Sequence, residues 1–375
     1  MTGGPYYPAP PPPPGPGANE HLPEWLRGEG EAADVVLSSR VRLARNLAGV
    51  LFASKATPSD RQRSMELCRD QIASAGLAER LAWEPLAKAP PQNRALLVER
   101  HLISKQLSRG KSAAGGADDP RGVAFSIPDE RLAIMVNEED HLRIQTIRSG
   151  LALATAWADA DAIDDKLEAG LEYAFSPRFG YLTACPTNVG TGLRMSAMLH
   201  LPALRLTGDI EKVKRAASDM NLAVRGFYGE GSEAVGDLYQ LSNQTTFGKS
   251  EAEILSLLEA EILPRVIEYE RIARRELLAK RRIPLEDHVW RARGILSNAR
   301  LLTTEEAMQA LSLVRLGVLT GVTPAPDPAA EVRLVHLLWL YVQPAHLQRA
   351  FGREMDQEQR RAARAALVRS RLGRA

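Results

Sequence analysis

Residues Arg131–Arg143 read RLAIMVNEEDHLR, an apolar run that alternates as a strand does and ends abruptly in three consecutive acids. An alternating run buries one face on a core, and a strand end is a place where side chains from several elements converge. Neighbouring strand residues point to opposite faces, so one of Glu138 and Glu139 is expected to face a site there. Three acids in a row more often form a solvated turn, so the cluster gains meaning only from what surrounds it.

Similar runs separated by glycine-bearing turns extend from about Asp34 to Ser250 and predict an antiparallel sheet flanked by helices, an α+β fold. At Ser250 the texture changes. Ser250 with Glu253 forms a capping box, Ile254, Leu258, Ile262 and Val266 repeat at helical spacing, and Thr303 with Glu306 forms a second box. The expected layout is a disordered proline- and glycine-rich arm over 1–33, a catalytic domain over 34–265 and an all-α domain over 266–375. The tract Met1–Ala18 cannot bury a core, and Pro264 and Pro284 are expected to join the two domains. Ser108–Val123, small, polar and glycine-rich, is expected to be a mobile excursion between structured pieces.

Composition removes several function classes. A chain of 375 residues, 45% apolar, can bury more than one core, while Lys+Arg at 48 against Asp+Glu at 46 leaves a net charge of +2, too small to draw it onto nucleic acid or a membrane. Cys68 and Cys185 are too few for a disulfide framework, and His21, His141, His200, His288, His336 and His346 lack metal-ligand spacing. No signal peptide opens the chain and no apolar run is long enough to span a bilayer, so the cytoplasm is the expected location.

Arg40, Arg42, Arg143, Arg194 and Arg225 all stand in turn-rich stretches, and Arg40 and Arg42 share one strand face. Guanidinium groups gathered in an interior need anions between them, and a triphosphate with its magnesium ion is the usual neutraliser. The common phosphate-binding loop is excluded, because the GKS at Gly248–Ser250 has Asn243 where the first glycine should stand. The GTG at Gly190–Gly192 by itself reads as a turn.

Four stretches in order, SSRVRLARN from Ser38, VNEEDHLRIQ from Val136, CPTNVGTGLRMSAMLHLPAL from Cys185 and RGFYGEGSEAVGDLYQLSNQ from Arg225, resemble the ATP:guanido phosphotransferases, the phosphagen kinases, over about Asp34–Glu253. Within that family the chain looks most similar to bacterial protein arginine kinases of the McsB type. QPAHLQRAFGREM from Gln343, followed by RRAARAALVRSRL from Arg360, resembles their C-terminal end. Only the proline-rich arm precedes the first motif, where creatine and arginine kinases carry a helical domain, so an open acceptor site is expected.

The resemblance implies transfer of the γ-phosphoryl group of ATP, with Mg2+, onto protein arginines. It implies ATP-binding positions at Ser38, Ser39, Arg40, Val41 and Arg42, at His101, Arg143, Arg194, Met195, Ser196, Ala197 and Met198, and at Arg225, Gly226, Phe227, Tyr228, Gly229 and Glu230. It implies Glu139 as the carboxylate that acts on the guanidinium, Glu230 as a second carboxylate that clamps it, and Cys185 beside the substrate nitrogen. The only metal expected is nucleotide-borne magnesium. Implied partners are protein substrates with exposed arginines, a zinc-binding activator protein, a stress repressor, a Clp protease and a second copy of the chain.

One departure stands out. Protein arginine kinases are expected to carry RDxxRA as an allosteric phosphoarginine pocket, and this chain has Arg360, Arg361, Ala362, Ala363, Arg364 and Ala365. Arg361 cannot accept a hydrogen bond from a guanidinium group and repels its charge, so feedback is expected to be weakened or rewired, with Arg360 and Arg364 left to hold the phosphate. Two alternatives stay open: a kinase for free arginine or another small guanidino compound, and a non-catalytic adaptor that binds phosphoarginine.

Overall fold

In Val36–Arg45 (β1), Val41 and Leu43 alternate with Arg40 and Arg42, and the apolar residues are fully buried while the two arginines are half-buried. Such a strand needs a covered face and a wet face, and β1 takes a central place in an eight-stranded sheet. The computed structural model describes residues 22–53, 55–110, 119–227 and 234–372. The other strands of the sheet are β2 (Leu81–Pro85), β3 (Gly122–Ser126), β4 (Leu132–Val136), β5 (Leu142–Ser149), β8 (Leu193–His200), β9 (Leu222–Arg225) and β10 (Leu238–Asn243), with a hairpin of β6 (Phe175–Ser176) and β7 (Gly180–Tyr181) apart from it. The order β2-β3-β4-β5-β1-β8-β10-β9 is antiparallel at every step, as the alternating runs predict.

Helices of this first unit are α1 (Pro58–Ser74), α2 (Pro91–Glu99), α3 (Lys105–Arg109), α4 (Leu153–Glu168), α5 (Pro202–Thr207), α6 (Ile210–Asp219), α7 (Glu251–Ser256) and α8 (Leu263–Lys280). The covered face belongs to α4, which packs on β1 and β5 through Ala156, Ala160, Ile163 and Leu167, a buried stripe at helical spacing. Ser39 Oγ donates to Gly150 O at 2.9 Å and accepts Ala152 N–H at 2.9 Å, and Arg45 pairs with Asp164 of α4 at 2.6 Å beneath the Tyr181 ring, 3.5 Å away. These contacts fix which face of β1 looks away from α4.

The expected disordered arm over 1–33 does not reach residue 33. Residues 1–21 lie outside the described residues, but Glu24–Leu26 forms a 3-10 turn with Trp25 at 3% and Leu26 at 0% exposure, and Glu24 accepts from Arg131 Nε at 3.1 Å. An aromatic and an aliphatic side chain side by side supply the anchor that the proline content obscures. Of the expected excursion Ser108–Val123, residues 111–118 lie outside the described residues, while Ser108 and Arg109 close α3 and Gly122 and Val123 open β3.

Ser250 and Glu253 form the expected capping box, and Ile254, Leu258, Ile262 and Val266 are all buried. Pro264, however, does not join two domains. The helix runs on from α7 through a π turn at Leu257–Ile262 into α8, and the wider turn absorbs the missing N–H of the proline. Glu270 of α8, fully buried, accepts from Ala203 N at 3.1 Å, Leu204 N at 3.0 Å and Arg274 Nε at 2.9 Å, and Arg271 and Arg274 reach Asp34 at 2.6 and 3.2 Å. That network makes α8 part of the first compact unit, which extends to Lys280.

The second unit, from Arg281, consists of α9 (Arg282–Asn298), α10 (Thr304–Leu319), α11 (Pro328–Tyr341), α12 (Pro344–Ala350) and α13 (Gln357–Leu372), so the expected all-helical texture holds. Pro284 lies inside α9, and Thr303 with Glu306 caps α10 as its sequence predicts. Gly317 lets α9 and α10 approach closely, since a Cβ there would lie 2.4 Å from Val289 Cγ1. Arg364, 3% exposed, donates to Val342 O and Leu302 O at 2.7 Å each, and Arg360 donates to Met355 O at 2.6 Å. Both guanidinium groups therefore tie α13 to neighbouring backbone. Ala365 is buried, and Arg361 adds its charge to the Thr303 hydrogen bonds that hold the Glu306 carboxyl below its ordinary range. Among the described residues no helix is long and apolar enough to cross a membrane.

Candidate active site

The face of the sheet turned away from α4 floors a cleft of about 610 Å3 lined by Arg40, Arg42, Arg143, Arg194 and Arg225. Strand register explains how distant arginines meet. Arg42 of β1 stands directly opposite Arg194 of β8 and, on its other side, opposite Gln145 of β5. Arg40 is one pleat along, opposite Ser196, and Arg225 of β9 is opposite Gln240 of β10. Like charges facing each other across a strand pair repel, the more so away from water. Burial, then Arg194 and Arg225, push Arg40 down to about 10, and burial with Arg40, Arg143 and Arg194 pushes Arg42 well below its ordinary value, Glu138 countering in part. A guanidinium group stays protonated at neutral pH, and an anion held among these side chains would relieve the repulsion.

At the other end of the same strands the acids converge. Glu138, Glu139 and Asp140 occupy the tight turn between β4 and β5, closed by Asn137 N donating to His141 O at 3.0 Å, with Asn137 at φ 58°. The strand expectation that one of the two glutamates faces away does not hold, because the turn swings both onto the cleft. Arg143 binds the whole cluster, pairing with Glu138, with Glu139 at 2.9 Å and with Asp140 at 3.5 Å. Burial works to lower its pKa, but Glu138, Asp140 and Glu139 outweigh that and hold it above the ordinary value. Arg143 is thus neutralised by the three acids of this turn. Glu138 is buried, while Glu139 stays partly exposed at 35% of its side chain.

Cys185, Thr187, Asn188 and Gly192 form the wall beside the acidic turn. Asp140 ties wall to turn, accepting from Ala184 N at 2.8 Å and Asn46 Nδ2 at 2.7 Å. Gly192, at φ 65°, passes so close to β1 that a Cβ would lie 2.6 Å from Ala44 O. The Cys185 thiol meets Thr187 Oγ1 at 3.0 Å, and buried Cys68, whose thiol burial pushes up to about 12, lies outside the cleft.

The remaining candidates divide by strand parity. Ser38, Ser196 and Met198 line a smaller hollow beside Arg40 and His101, whereas Ser39, Val41, Met195 and Ala197 are buried and absent from both cavities. His101, at φ 59°, packs edge-on against Trp25 and Phe227, with ring centroids 4.7 and 5.0 Å apart. Burial, then Arg40 and Lys105, push its pKa down to about 3. Gly226 and Phe227 are buried at the end of β9; Tyr228, Gly229 and Glu230 lie outside the described residues.

Sequence reasoning missed Lys105, which lines the cleft from an element without a motif, and Gln145, Gln240 and Gln244, which stand inside two of the quoted stretches with no role assigned to them, as well as the positioning role of Asp140. The third acid of NEED was the available signal for Asp140. Among the described residues no cluster of three or more His, Cys, Asp or Glu side chains is arranged to hold a metal ion.

Residues 64–273 match the model of the ATP:guanido phosphotransferase C-terminal catalytic domain, and residues 282–375 match that of the protein-arginine kinase McsB C-terminal domain. The chain is 48% identical over 351 residues to the protein-arginine kinase of Symbiobacterium thermophilum, covering 93% of this chain and 96% of that one. It is 43% identical over 354 residues to that of Halothermothrix orenii, covering 94% and 97%. Among solved structures it is similar to the duplicated taurocyamine kinase from Schistosoma mansoni with bound transition state analog components, with a TM-score of 0.57 and 26% identity over 63% of this chain and 33% of that one. It is also similar to lombricine kinase, with a TM-score of 0.55 and 27% identity over 71% and 74%.

Proposed function

The chain belongs to the ATP:guanido phosphotransferase family, and within it to the protein-arginine kinases, and from that premise we propose that it transfers the γ-phosphoryl group of ATP to arginine side chains of proteins. The observation that carries this reading is the polarity of the cleft, with Arg40, Arg42, Arg194 and Arg225 gathered along its floor and the acidic turn with Cys185 at one end. A polyphosphate answers the first group and a guanidinium cation the second.

An arginine side chain has a pKa above about 12, so its nitrogens are protonated, delocalised and poor nucleophiles. In this reading Glu139 orients one terminal nitrogen in line with the γ-phosphorus and accepts its proton. The N–P bond forms as the bond from the γ-phosphorus to the bridging β-phosphate oxygen breaks, and ADP leaves. Arg143 aims Glu139 through their 2.9 Å ion pair, and Glu230 is the second carboxylate on the acceptor. Arg40, Arg42, Arg194 and Arg225 stabilise charge that spreads over the transferring oxygens. Magnesium brought in with the nucleotide would supply further positive charge to the same phosphates, while Glu138 and Glu139 stay engaged by Arg143. Phosphorylated proteins would then be substrates for a Clp-type protease or, in the case of a stress repressor, lose their function, with a zinc-binding activator acting on the enzyme in the cytoplasm.

Incubation with γ-labelled ATP and either an arginine-rich protein or free arginine tests the reading. Acid-labile label is expected on the protein and not on free arginine, with Glu139→Gln reducing its rate by about 100-fold or more. Label on free arginine alone, or undiminished transfer by the variant, would overturn it.

A further inference from the structure

Phe175 and Phe179 of the β6–β7 hairpin and Phe247 of the segment after β10 are exposed at 57%, 43% and 57%. Backbone contacts tie them to a single structure. Phe175 is paired with Tyr181, the rings 5.3 Å apart, and Tyr181 N donates to Gly190 O at 2.8 Å. From the other side Thr191 N donates to Thr246 O at 3.2 Å, and Thr246 Oγ1 donates to Val189 O at 2.7 Å and Thr187 O at 3.0 Å. The segment 187–191 is therefore held between the hairpin and the residues just before Phe247. That same segment supplies Thr187 and Asn188 to the cleft wall at its acidic end.

We infer that Phe175, Phe179 and Phe247 form a lip that binds the polypeptide flanking the acceptor arginine, favouring segments with apolar side chains beside that arginine. The inference rests on the protein-arginine kinase reading and goes beyond it to the sequence that the site selects. A side chain that enters the cleft from a polypeptide brings its neighbours over the rim, and the rim contiguous with Cys185 and Asn188 is this one.

Two short peptides, each with a single arginine, one flanked by Leu and Phe and the other by Ser and Gly, test this with the full-length protein and its F175S/F179S/F247S variant. Wild type is expected to favour the apolar-flanked peptide by about tenfold in kcat/KM, mainly through KM, and the variant to lose that preference while keeping the wild-type rate on the Ser/Gly peptide. Equal use of both peptides by wild type, a preference retained by the variant, or equal slowing of the variant on both would overturn the inference. Transfer to neither peptide by wild type would instead overturn the kinase reading itself, and this inference with it.

Discussion

Arg42 and Arg194 face each other on adjacent strands with Arg40 and Arg225 close by, and the repulsion among them is what the proposed polyphosphate site would relieve. These arginines were legible in the sequence because each sits in a recognisable stretch. The different fate of Arg143 was not, because its partners are acids whose direction depends on a turn that alternation misreads as a strand end. His101 belongs to this scale as well. Its folded-state pKa, near 3, lies below the ordinary 6.5, so the unfolded chain binds the proton more readily. The stability it contributes is complete above about pH 6.5 and is lost as the pH falls toward 3, with a slope of at most about 1.4 kcal/mol per pH unit. Chemical denaturation of wild type and His101→Asn, which tolerates the positive φ, should show the variant with a shallower acid-side decline; parallel curves would contradict the assignment.

Elements show where local sequence rules hold and where packing overrides them. Both capping boxes are present, because a Ser or Thr with a Glu three residues on satisfies backbone donors without outside help. Pro264 misleads, because the cost of a helical proline is relieved by a π turn that no local pattern announces. Two helical glycines provide a paired test of packing against propensity. A Cβ at Gly294 of α9 meets nothing within 4 Å, whereas one at Gly317 of α10 meets Val289 at 2.4 Å. Gly294→Ala is expected to stabilise the chain by about 0.5–1 kcal/mol through helix propensity. Gly317→Ala is expected to destabilise it by about 1–3 kcal/mol through overpacking, and thermal unfolding that moved both variants the same way would refute the packing described for α9 and α10.

At the scale of the molecule, the antiparallel sheet and the all-helical unit were readable from hydrophobic periodicity, since each face or stripe had only one economical way to be covered. The dual use of the sheet was readable only in part. Residues of one parity bury against α4 and those of the other floor the cleft, so that Ser39 and Ser38, or Met195 and Ser196, neighbours in the same motif, have separate tasks. A sheet face carrying these cations beside an acidic turn is the charge pattern that the proposed ATP and guanidinium sites require. Calorimetric titration of Mg-ATP and of AMP into wild type and the R42A/R194A variant addresses that point directly. Wild type should bind ATP far more tightly than AMP, and the variant should lose about 100-fold or more of its ATP affinity while its AMP affinity changes little. ATP binding of equal strength in both proteins would contradict the claim that these guanidinium groups receive the polyphosphate.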